Sequence, residues 1–357
     1  MPNELDEEAR YMRRAVALAA RGAGRTSPNP NVGAVLVKDG EIVGEGYHHA
    51  SGEAHAEVEA IRAAGARARG ATIFVTLEPC AHQGRTPPCV DAVREAGIAR
   101  VVAAVRDPDP KVDGRGFRAL RGAGIAVEEG LLADEATRVN EGFLTRMREG
   151  RPMVLVKLAT TMDGHVSVPG RRYLTGKRAL REVHRLRDRY DAVLVGSGTI
   201  VADDPQLTVR EVRGRDPLRV VVDTEARTPV NARVVRTRDP QRTMLLVARD
   251  APLARMKRLR EAGVLVATMP RGPDGLDLRA ALRWLADQGV NTVLSEAGPR
   301  LSGAIVRAGL ADRLLFLIAP IVGGGGATAL AGVPKASELK ETTVRRLGPD
   351  VAIEGRL

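Results

Sequence analysis

The alternation of apolar and polar residues along the first half of the chain predicts strands and helices in turn. An Asp39-Gly40 pair between two short apolar runs is typical of a β-hairpin. Apolar runs predict strands at residues 33–37, 42–46, 71–77 and 100–105. Apolar residues at helical spacing predict helices at residues 6–22 (with Asp6 as N-cap), 55–68, 89–97 and 133–147. This succession is typical of a layered α/β domain.

The second half of the chain repeats this alternation after a break containing Gly and Pro at residues 149–152. A chain of 357 residues exceeds the size at which a single core stops growing. We therefore predict two domains, residues 1–148 and 152–357. In the second domain the pattern predicts a loop at 203–210, strands at 153–159, 191–195, 218–222, 244–248, 292–294 and 314–318, and helices at 177–189, 251–262, 277–288 and 299–308.

The amino-acid composition limits the kinds of molecule that the chain is expected to bind. A net charge of +11 is typical of nucleic-acid-binding proteins, but the arginines are spread along the whole chain. Aromatic residues make up only 3%, so stacking platforms for bases are scarce. With two cysteines, an acidic N-terminus and no apolar run long enough for a bilayer, the chain is expected to be cytoplasmic. We expect a homo-oligomer that acts on a small molecule, without nucleic-acid or membrane partners.

The most informative segment is residues 79–89, which holds both cysteines, Cys80 and Cys89. Upstream lies His55, followed two residues later by Glu57. One His and two Cys leave the fourth position of a tetrahedral Zn²⁺ open for water, whose pKa the metal lowers. A nearby carboxylate can move the proton from water to a leaving amine. His-x-Glu followed by Pro-Cys-x-x-Cys is the zinc-deaminase signature, although eight residues separate the cysteines here.

Two other interpretations of the cysteines remain open from the sequence. Each could be a small buried hydrophobe, or the two could form one disulfide. The Pro- and Gly-rich turn between them, with His55 and Glu57 upstream, favours a metal site.

The second half has less specific motifs. Residues 196–201 follow a predicted strand with two glycines of a dinucleotide-binding loop, but Val201 stands where the third glycine belongs. A plain turn explains them equally well. Residues 296–300 open a helix whose N-terminus could hold a phosphate. Arg187 and Arg210 could bind a sugar phosphate, although in a chain so rich in arginine the inference is weak, and spacing alone favours a solvated turn at 203–210.

Taken together, these segments resemble a known family, the bifunctional pyrimidine deaminase/reductase of riboflavin biosynthesis. The eight-residue cysteine spacing distinguishes that family from ordinary cytidine and tRNA deaminases. Asp109 and Asp113 depart from its pattern, in which Asn and a small residue are usual. The resemblance covers nearly the whole chain, through residues 27–34, 46–48, 52, 55–57, 78–89, 107–116, 157–164, 196–199, 202–205, 210 and 296–301.

The resemblance implies a cytidine-deaminase-like three-layer domain followed by a dihydrofolate-reductase-like domain. It implies two cofactors, one Zn²⁺ per chain and NADPH. The implied reactions are hydrolytic deamination of a phosphoribosylated diaminopyrimidinone and then reduction of the ribosyl group of the resulting 5-amino-6-(5-phosphoribosylamino)uracil to ribityl.

The resemblance also implies roles for individual residues. It implies that His55, Cys80 and Cys89 bind the zinc ion and that Glu57 transfers the proton. Contacts with the pyrimidine and its ribosyl phosphate fall to Asn29, His48, His82 and Arg85. In the reductase, substrate contacts fall to Arg187, Asp203, Arg210 and Glu296, and cofactor contacts to Lys157, Thr175, Gly196, Gly198, Thr199 and Gly298.

Two rival functions belong to other classes. A zinc nucleotide or tRNA deaminase with a non-reductase accessory domain is disfavoured by the cysteine spacing, and its second domain would not bind NADPH. A non-catalytic binding protein is disfavoured by the intact set of His55, Glu57, Cys80 and Cys89.

Overall fold

The computed structural model describes residues 4–84, 86–323 and 326–357. The chain divides into two compact units, Met1–Gly150 and Arg151–Leu357. Gly150, at φ 65°, takes the left-handed conformation that commonly ends a helix, and it closes the last helix of the first unit.

The first unit contains a five-stranded sheet and helices on both of its faces. Its strands are β1 (Gly33–Lys38), β2 (Glu41–Tyr47), β3 (Thr72–Val75), β4 (Arg100–Ala103) and β5 (Ala126–Glu129). Its helices are α1 (Glu4–Ala19), α2 (Ala56–Ala64), α3 (Cys89–Glu95), α4 (Arg115–Gly122), α5 (Ala133–Val139) and α6 (Glu141–Glu149).

The strand order in this sheet is β2-β1-β3-β4-β5, with β3, β4 and β5 parallel and β1 antiparallel to both of its neighbours. Because side chains alternate across a strand, Leu36 and Ile73 face the core beneath α2, α3 and α4, whereas Val35 and Phe74 face the core beneath α1 and α5. The predicted three-layer arrangement is confirmed.

The second unit is built on a nine-stranded sheet of order β10-β9-β8-β7-β13-β6-β14-β16-β15. The strands of this sheet are β6 (Met153–Thr160), β7 (Ala192–Gly196), β8 (Leu218–Val222), β9 (Thr243–Ala248), β10 (Leu265–Met269), β13 (Thr292–Ser295), β14 (Arg313–Ile318), β15 (Lys340–Leu347) and β16 (Asp350–Arg356). Two short strands, β11 (Arg271–Gly272) and β12 (Gly275–Leu276), form a separate two-stranded sheet. Its helices are α7 (Lys177–Arg189), α8 (Ser197–Asp203), α9 (Leu253–Glu261), α10 (Leu278–Asp287) and α11 (Pro299–Arg307).

Seven neighbouring strands of this sheet, from β10 to β14, run parallel, and the C-terminal hairpin adds two antiparallel strands. Helix α7 covers one face, where Ala179 and Val183 pack on Leu155 and Leu294. The larger core lies on the other face, beneath α9, α10 and α11. The carboxyl ends of the parallel strands thus meet at one edge, which is where ligands bind in such sheets. Within the part of the chain that is described, no helix is both long enough and apolar enough to cross a membrane.

The sequence-based predictions missed α4 and β5 of the first unit, and three of the predicted helices differ from the structure in how they begin or continue. Helix α1 already includes Asp6, which is therefore not its N-cap. His55 precedes the first turn of α2 as its N-cap residue instead of lying within that turn. The single helix predicted at 133–147 is broken at Asn140, whose side chain exchanges two 2.8 Å hydrogen bonds with the backbone of Asn31. This exchange ties the loop at 26–31 to the break.

In the second unit, the predicted loop at 203–210 is partly wrong. Ser197–Asp203 forms α8, so Asp203 ends a short helix, and only the residues after it are irregular. The prediction also missed β10, β15 and β16. Every residue of β15 from Lys340 to Arg346 is exposed, so this edge strand lacks the buried alternation by which strands are recognised.

Candidate functional site

The first unit brings His55, Cys80 and Cys89 together. His55 Nδ1 lies 3.1 Å from Cys89 Sγ and 3.6 Å from Cys80 Sγ, and all three ligand atoms lie within 4.8 Å of one another. Ligands at zinc–nitrogen and zinc–sulfur bond lengths around one tetrahedral ion are about 3.5–3.8 Å apart. The three side chains therefore have the chemistry and close to the spacing of a zinc site.

The two cysteines are free, so they do not form the disulfide that the sequence left open. Cys89 is buried at the start of α3, and its backbone N–H donates to Cys80 Sγ at 3.4 Å. A hydrogen bond with Cys89, together with the neighbouring His55, lowers the pKa of the Cys80 thiol. A thiolate is the form in which cysteine binds metal.

The local fold orients the His55 ring. Its Nδ1 faces the two sulfur atoms, while Nε2 lies 3.4 Å from the Thr86 hydroxyl. A metal-binding imidazole usually donates its other N–H to such a partner, which fixes the tautomer. Thr86 was not identified from the sequence, because nothing in its spacing links it to His55.

Glu57 lies in the first turn of α2, two residues after the candidate ligand, and is only 3% exposed. Among the described residues, its Oε2 is buried without a hydrogen-bond partner. Burial raises the pKa of this carboxyl group. A buried carboxyl oxygen without a partner is costly in a folded protein, so its presence here is evidence for a ligand or a reacting group.

Two of the predicted pyrimidine contacts lie beside this centre. The Asn29 amide donates to His48 Nε2 at 3.1 Å, and His48 Nδ1 donates to the Ala54 carbonyl at 3.0 Å. Burial lowers the pKa of His48, so the ring is neutral, as these two hydrogen bonds require. The His48 and His55 rings meet edge to face at 5.1 Å between centroids.

His82 follows Cys80 by two residues and is partly buried. Its Nδ1 is another buried polar atom with no hydrogen-bond partner in the described part of the chain. Arg85, the fourth predicted contact, lies outside the described residues.

The sequence did not reveal the role of Glu78, which holds the neighbouring loop in place. Its buried carboxylate accepts backbone hydrogen bonds from residues 107, 114, 116 and 117, at 2.9–3.4 Å. Gly116 lets the loop pass closely, because a Cβ there would meet the Pro79 carbonyl oxygen at 2.0 Å. Glu78 thus fixes the segment beside Cys80, and these four hydrogen bonds do not involve the candidate ligands.

Asp109 and Asp113, the two departures from the family pattern, lie in this same loop. The Asp109 carboxylate accepts from the Lys111 backbone N–H at 2.9 Å, a turn contact that an Asn carbonyl oxygen could also make. Asp113 is exposed. Burial raises the pKa of Asp107 to about 7.

The second unit brings four of the predicted reductase residues into one charged cluster. The Glu296 carboxylate pairs with the Arg187 guanidinium at 2.6 and 3.0 Å and with Lys157 Nζ at 3.6 Å. The Thr208 carbonyl accepts from Arg187, and the Thr208 hydroxyl accepts from Arg210. Arg187 is buried and Lys157 and Glu296 are largely buried, whereas Arg210 is exposed.

The electrostatics of this cluster favour an anion. Burial alone would raise the pKa of Glu296, but Arg187 and Lys157 outweigh burial and lower it to about 2. His184 accepts from the Arg210 backbone N–H at 2.9 Å, and burial with Arg187 and Arg210 lowers its pKa to about 4. The cluster therefore contains three cations, one carboxylate and one imidazole. The sequence did not identify His184, because its hydrogen-bond partner is the backbone of Arg210, 26 residues further along the chain.

Four of the predicted cofactor residues lie at the carboxyl ends of two neighbouring strands. Gly196 ends β7 and precedes α8, while Gly298 follows β13 and precedes α11. A Cβ on Gly298 would lie 3.8 Å from the Thr199 hydroxyl, and one on Gly198 would meet only open space. The turns are therefore adjacent and open to a ligand.

Two predicted residues stand apart from these contacts. Asp203 is exposed at the end of α8, and among the described residues its side chain makes no hydrogen bond or ion pair with the charged cluster. Thr175 is partly buried and precedes Gly176, the N-cap residue of α7.

Replacing Glu296 by glutamine is expected to destabilise the second unit by about 3–5 kcal/mol, because two buried cations lose their counter-ion. Glu261→Gln, which removes an exposed partner of Lys257, should cost less than about 1 kcal/mol. Urea unfolding followed by fluorescence of Trp284, the single tryptophan, reports on this unit. Equal midpoints for the two variants would show that the cluster is not an energetically coupled buried network.

Both units match known families. Residues 5–105 match the cytidine and deoxycytidylate deaminase zinc-binding region, and residues 152–353 match the RibD C-terminal domain. The riboflavin biosynthesis protein RibD of Escherichia coli K12 is 44% identical, over 96% of this chain and 97% of the relative. RibD of Aquifex aeolicus is 39% identical, over 99% of each chain.

Two solved structures share the architecture over 99% of both chains. The Acinetobacter baumannii RibD structure, form 1, has a TM-score of 0.89 at 37% identity. A diaminohydroxyphosphoribosylaminopyrimidine deaminase/5-amino-6-(5-phosphoribosylamino)uracil reductase from Thermotoga maritima has a TM-score of 0.87 at 33% identity. These similarities extend across both units, as expected for a relative of full-length RibD proteins.

Proposed function

The chain belongs to the RibD family of riboflavin-biosynthesis proteins, and from this membership we infer how its residues carry out two reactions. It is a bifunctional enzyme, a zinc-dependent deaminase and an NADPH-dependent reductase. It deaminates the phosphoribosylated diaminopyrimidinone and then reduces the ribosyl group of the resulting uracil to ribityl. The convergence of His55, Cys80 and Cys89 beside a buried, unpartnered Glu57 oxygen is the observation that carries the deaminase assignment.

We propose that His55, Cys80 and Cys89 hold the zinc ion. Their donor set, one imidazole nitrogen and two thiolates, suits Zn²⁺ and leaves a fourth position for the reaction. When bound there, zinc supplies Lewis acidity that makes water a better nucleophile near neutral pH.

Glu57 is the proton carrier in this proposal. Water forms a bond to the ring carbon that bears the amino group, and the bond from that carbon to nitrogen breaks. Glu57 takes one proton from the water and returns it to the departing nitrogen, which leaves as ammonia, while the other water proton ends on a ring nitrogen of the uracil product. Its place in the first turn of α2 holds the carboxylate at a fixed position relative to His55.

We assign the pyrimidine contacts to Asn29, His48, His82 and Arg85. Support comes from the Asn29–His48 hydrogen bond beside His55 and from the unpartnered Nδ1 of His82. The loop that carries Asn29 is tied to Asn140, so its position does not depend on the substrate.

In the second unit, we propose that the charged cluster binds the substrate's ribose phosphate. NADPH supplies the hydride that reduces C1 of the open-chain ribosyl group. Arg187 and Arg210 would hold the phosphate, and Glu296 keeps Arg187 oriented through its two hydrogen bonds. Gly196, Gly198, Thr199 and Gly298, with Lys157 and Thr175, would contact the cofactor, and Asp203 would contact the ribose.

We further propose that the two activities separate at the unit boundary. A fragment of residues 151–357 has its own sheet and its own cores, so it should fold alone, bind NADPH and reduce the uracil without zinc. Calorimetry with NADPH and an assay of NADPH oxidation check this. A folded fragment, shown by the Trp284 emission of the full chain, that binds no NADPH would contradict the assignment.

Two expectations lie beyond these contacts. We propose that the enzyme works in the cytoplasm as a homo-oligomer on its small-molecule substrate. Light scattering of the purified chain tests the oligomeric state directly.

A further inference from the structure

The segment at residues 208–210, which lies between α8 and β8, is irregular and yet firmly held. Its carbonyl at residue 208 and its N–H groups at residues 209 and 210 each bond to a side chain, at 3.0, 2.7 and 2.9 Å. The three partners are, in that order, Arg187, Asp216 and His184. A loop whose backbone bonds to fixed side chains, rather than to water, is restricted to one path.

The chain enters this segment through a strained residue. Leu207 has a φ of 55°, in the left-handed region that a bulky side chain rarely adopts. Leu207 is nevertheless only 2% exposed and belongs to the larger core of the second unit. Such strain persists only where the surrounding contacts over-determine the backbone, and it is typical of binding sites. The contacts at residues 208–210 therefore hold a conformation that the chain would not adopt alone.

The segment presents one cation without a counter-ion. The Arg210 side chain is exposed, and its guanidinium donates to the Thr208 hydroxyl at 2.7 Å. Burial and the neighbouring Arg187 lower the pKa of Arg210. No carboxylate in the described part of the chain forms an ion pair with Arg210, whereas Glu296 pairs with Arg187 at 2.6 Å. Arg210 is therefore the guanidinium of the charged cluster that is available to an anion.

His184 is the buried link between this cation and the fold. It lies on α7 three residues before Arg187, so the two side chains share one face of the helix and reach the same segment. His184 is only 1% exposed. Burial, with Arg187 and Arg210 nearby, lowers its pKa to about 4. The ring is therefore neutral near pH 7 and keeps the Nδ1 lone pair that accepts the Arg210 N–H.

We propose that His184 is a positioning residue of the reductase, which holds Arg210 where it meets the substrate's phosphate. This inference rests on the proposed function, to which the phosphate contact belongs. The contact of His184 is with the Arg210 backbone, so its effect on the phosphate passes through that residue. Without this acceptor, residues 208–210 could leave their strained path. Reordering Arg210 on binding would then weaken the affinity for the phosphate.

The test measures KM and kcat for reduction of the deaminated uracil by variants of the full-length chain. His184→Leu removes the acceptor, whereas His184→Asn keeps an oxygen near the position of Nδ1. Arg210→Gln removes the guanidinium itself. Val183→Ala shortens a buried side chain of α7 that packs on Leu155 and Leu294, so it controls for a general loosening of the helix. Calorimetry with NADPH checks that each variant is folded.

His184→Leu should raise KM about 10-fold, the loss expected for one hydrogen bond whose donor is left without a partner. The change in kcat should be small, because the phosphate lies away from the reacting carbon and its contacts stabilise ground and transition states alike. His184→Asn should recover most of the wild-type KM, and Val183→Ala should keep it. In an Arg210→Gln background, His184→Leu should add less than about two-fold, since His184 acts through Arg210.

A KM for His184→Leu within about two-fold of wild type would overturn the inference. Equal increases in His184→Leu and Val183→Ala would do the same, since they would show a loosened helix. Effects of His184→Leu and Arg210→Gln that multiply independently would also overturn it. An Arg210→Gln variant with the wild-type KM would instead overturn the phosphate contact in the proposed function.

Discussion

Deamination should fall by about 10²–10⁴-fold when Glu57 is replaced by glutamine, while zinc content and fold are kept. Glutamine has nearly the same shape, but it cannot take a proton from water and return it to the leaving amine. Glu57 is not one of the proposed ligands, so the metal site remains complete. Ammonia release from the diaminopyrimidine substrate measures the loss, and elemental analysis measures zinc.

Glu59→Gln provides the matched control. Glu59 lies on the same helix but forms an ion pair with Arg62 at the surface. The deamination rate of the Glu59→Gln variant should therefore stay within a few-fold of wild type. Comparable rates for Glu57→Gln and Glu59→Gln would remove Glu57 from the mechanism.

The second large effect concerns the metal. Changing both Cys80 and Cys89 to serine should lower zinc from about one ion per chain to almost none, because a single imidazole cannot hold Zn²⁺. Deamination should be lost with the metal. The first unit should also become less stable, since metal binding contributes to folding free energy.

Reduction of the deaminated uracil serves as the control for this double variant, because the reductase residues belong to the second unit. It should proceed at the wild-type rate. Zinc content unchanged by the double substitution would show that the metal is held elsewhere.

Local sequence patterns predicted most of the elements that position the sites. The strands β1, β6 and β8 and the helix α7 lie within one residue of their predicted bounds, because each carries a clear apolar period. The break at Asn140 was missed because its cause is a contact with Asn31, more than one hundred residues away. No local period can report such a contact.

The candidate sites divide in the same way. The spacing of the His-x-Glu motif and of the cysteine pair indicates a zinc deaminase from the sequence alone. The fold then brings His55, Cys80 and Cys89 together. Glu78 and His184 act through the backbone of distant segments, and only the structure reveals those partners.

The central claim is that one chain deaminates first and then reduces. The most direct measurement supplies the diaminopyrimidine substrate and NADPH together and follows ammonia release and NADPH oxidation in wild type and in Glu57→Gln. Wild type should release one ammonia for each NADPH oxidised. With this substrate, Glu57→Gln should release ammonia and oxidise NADPH at least about 100-fold more slowly than wild type, yet it should oxidise NADPH normally when given the deaminated uracil. NADPH oxidation by Glu57→Gln at the wild-type rate with the diaminopyrimidine, or none by wild type with the uracil, would contradict the account.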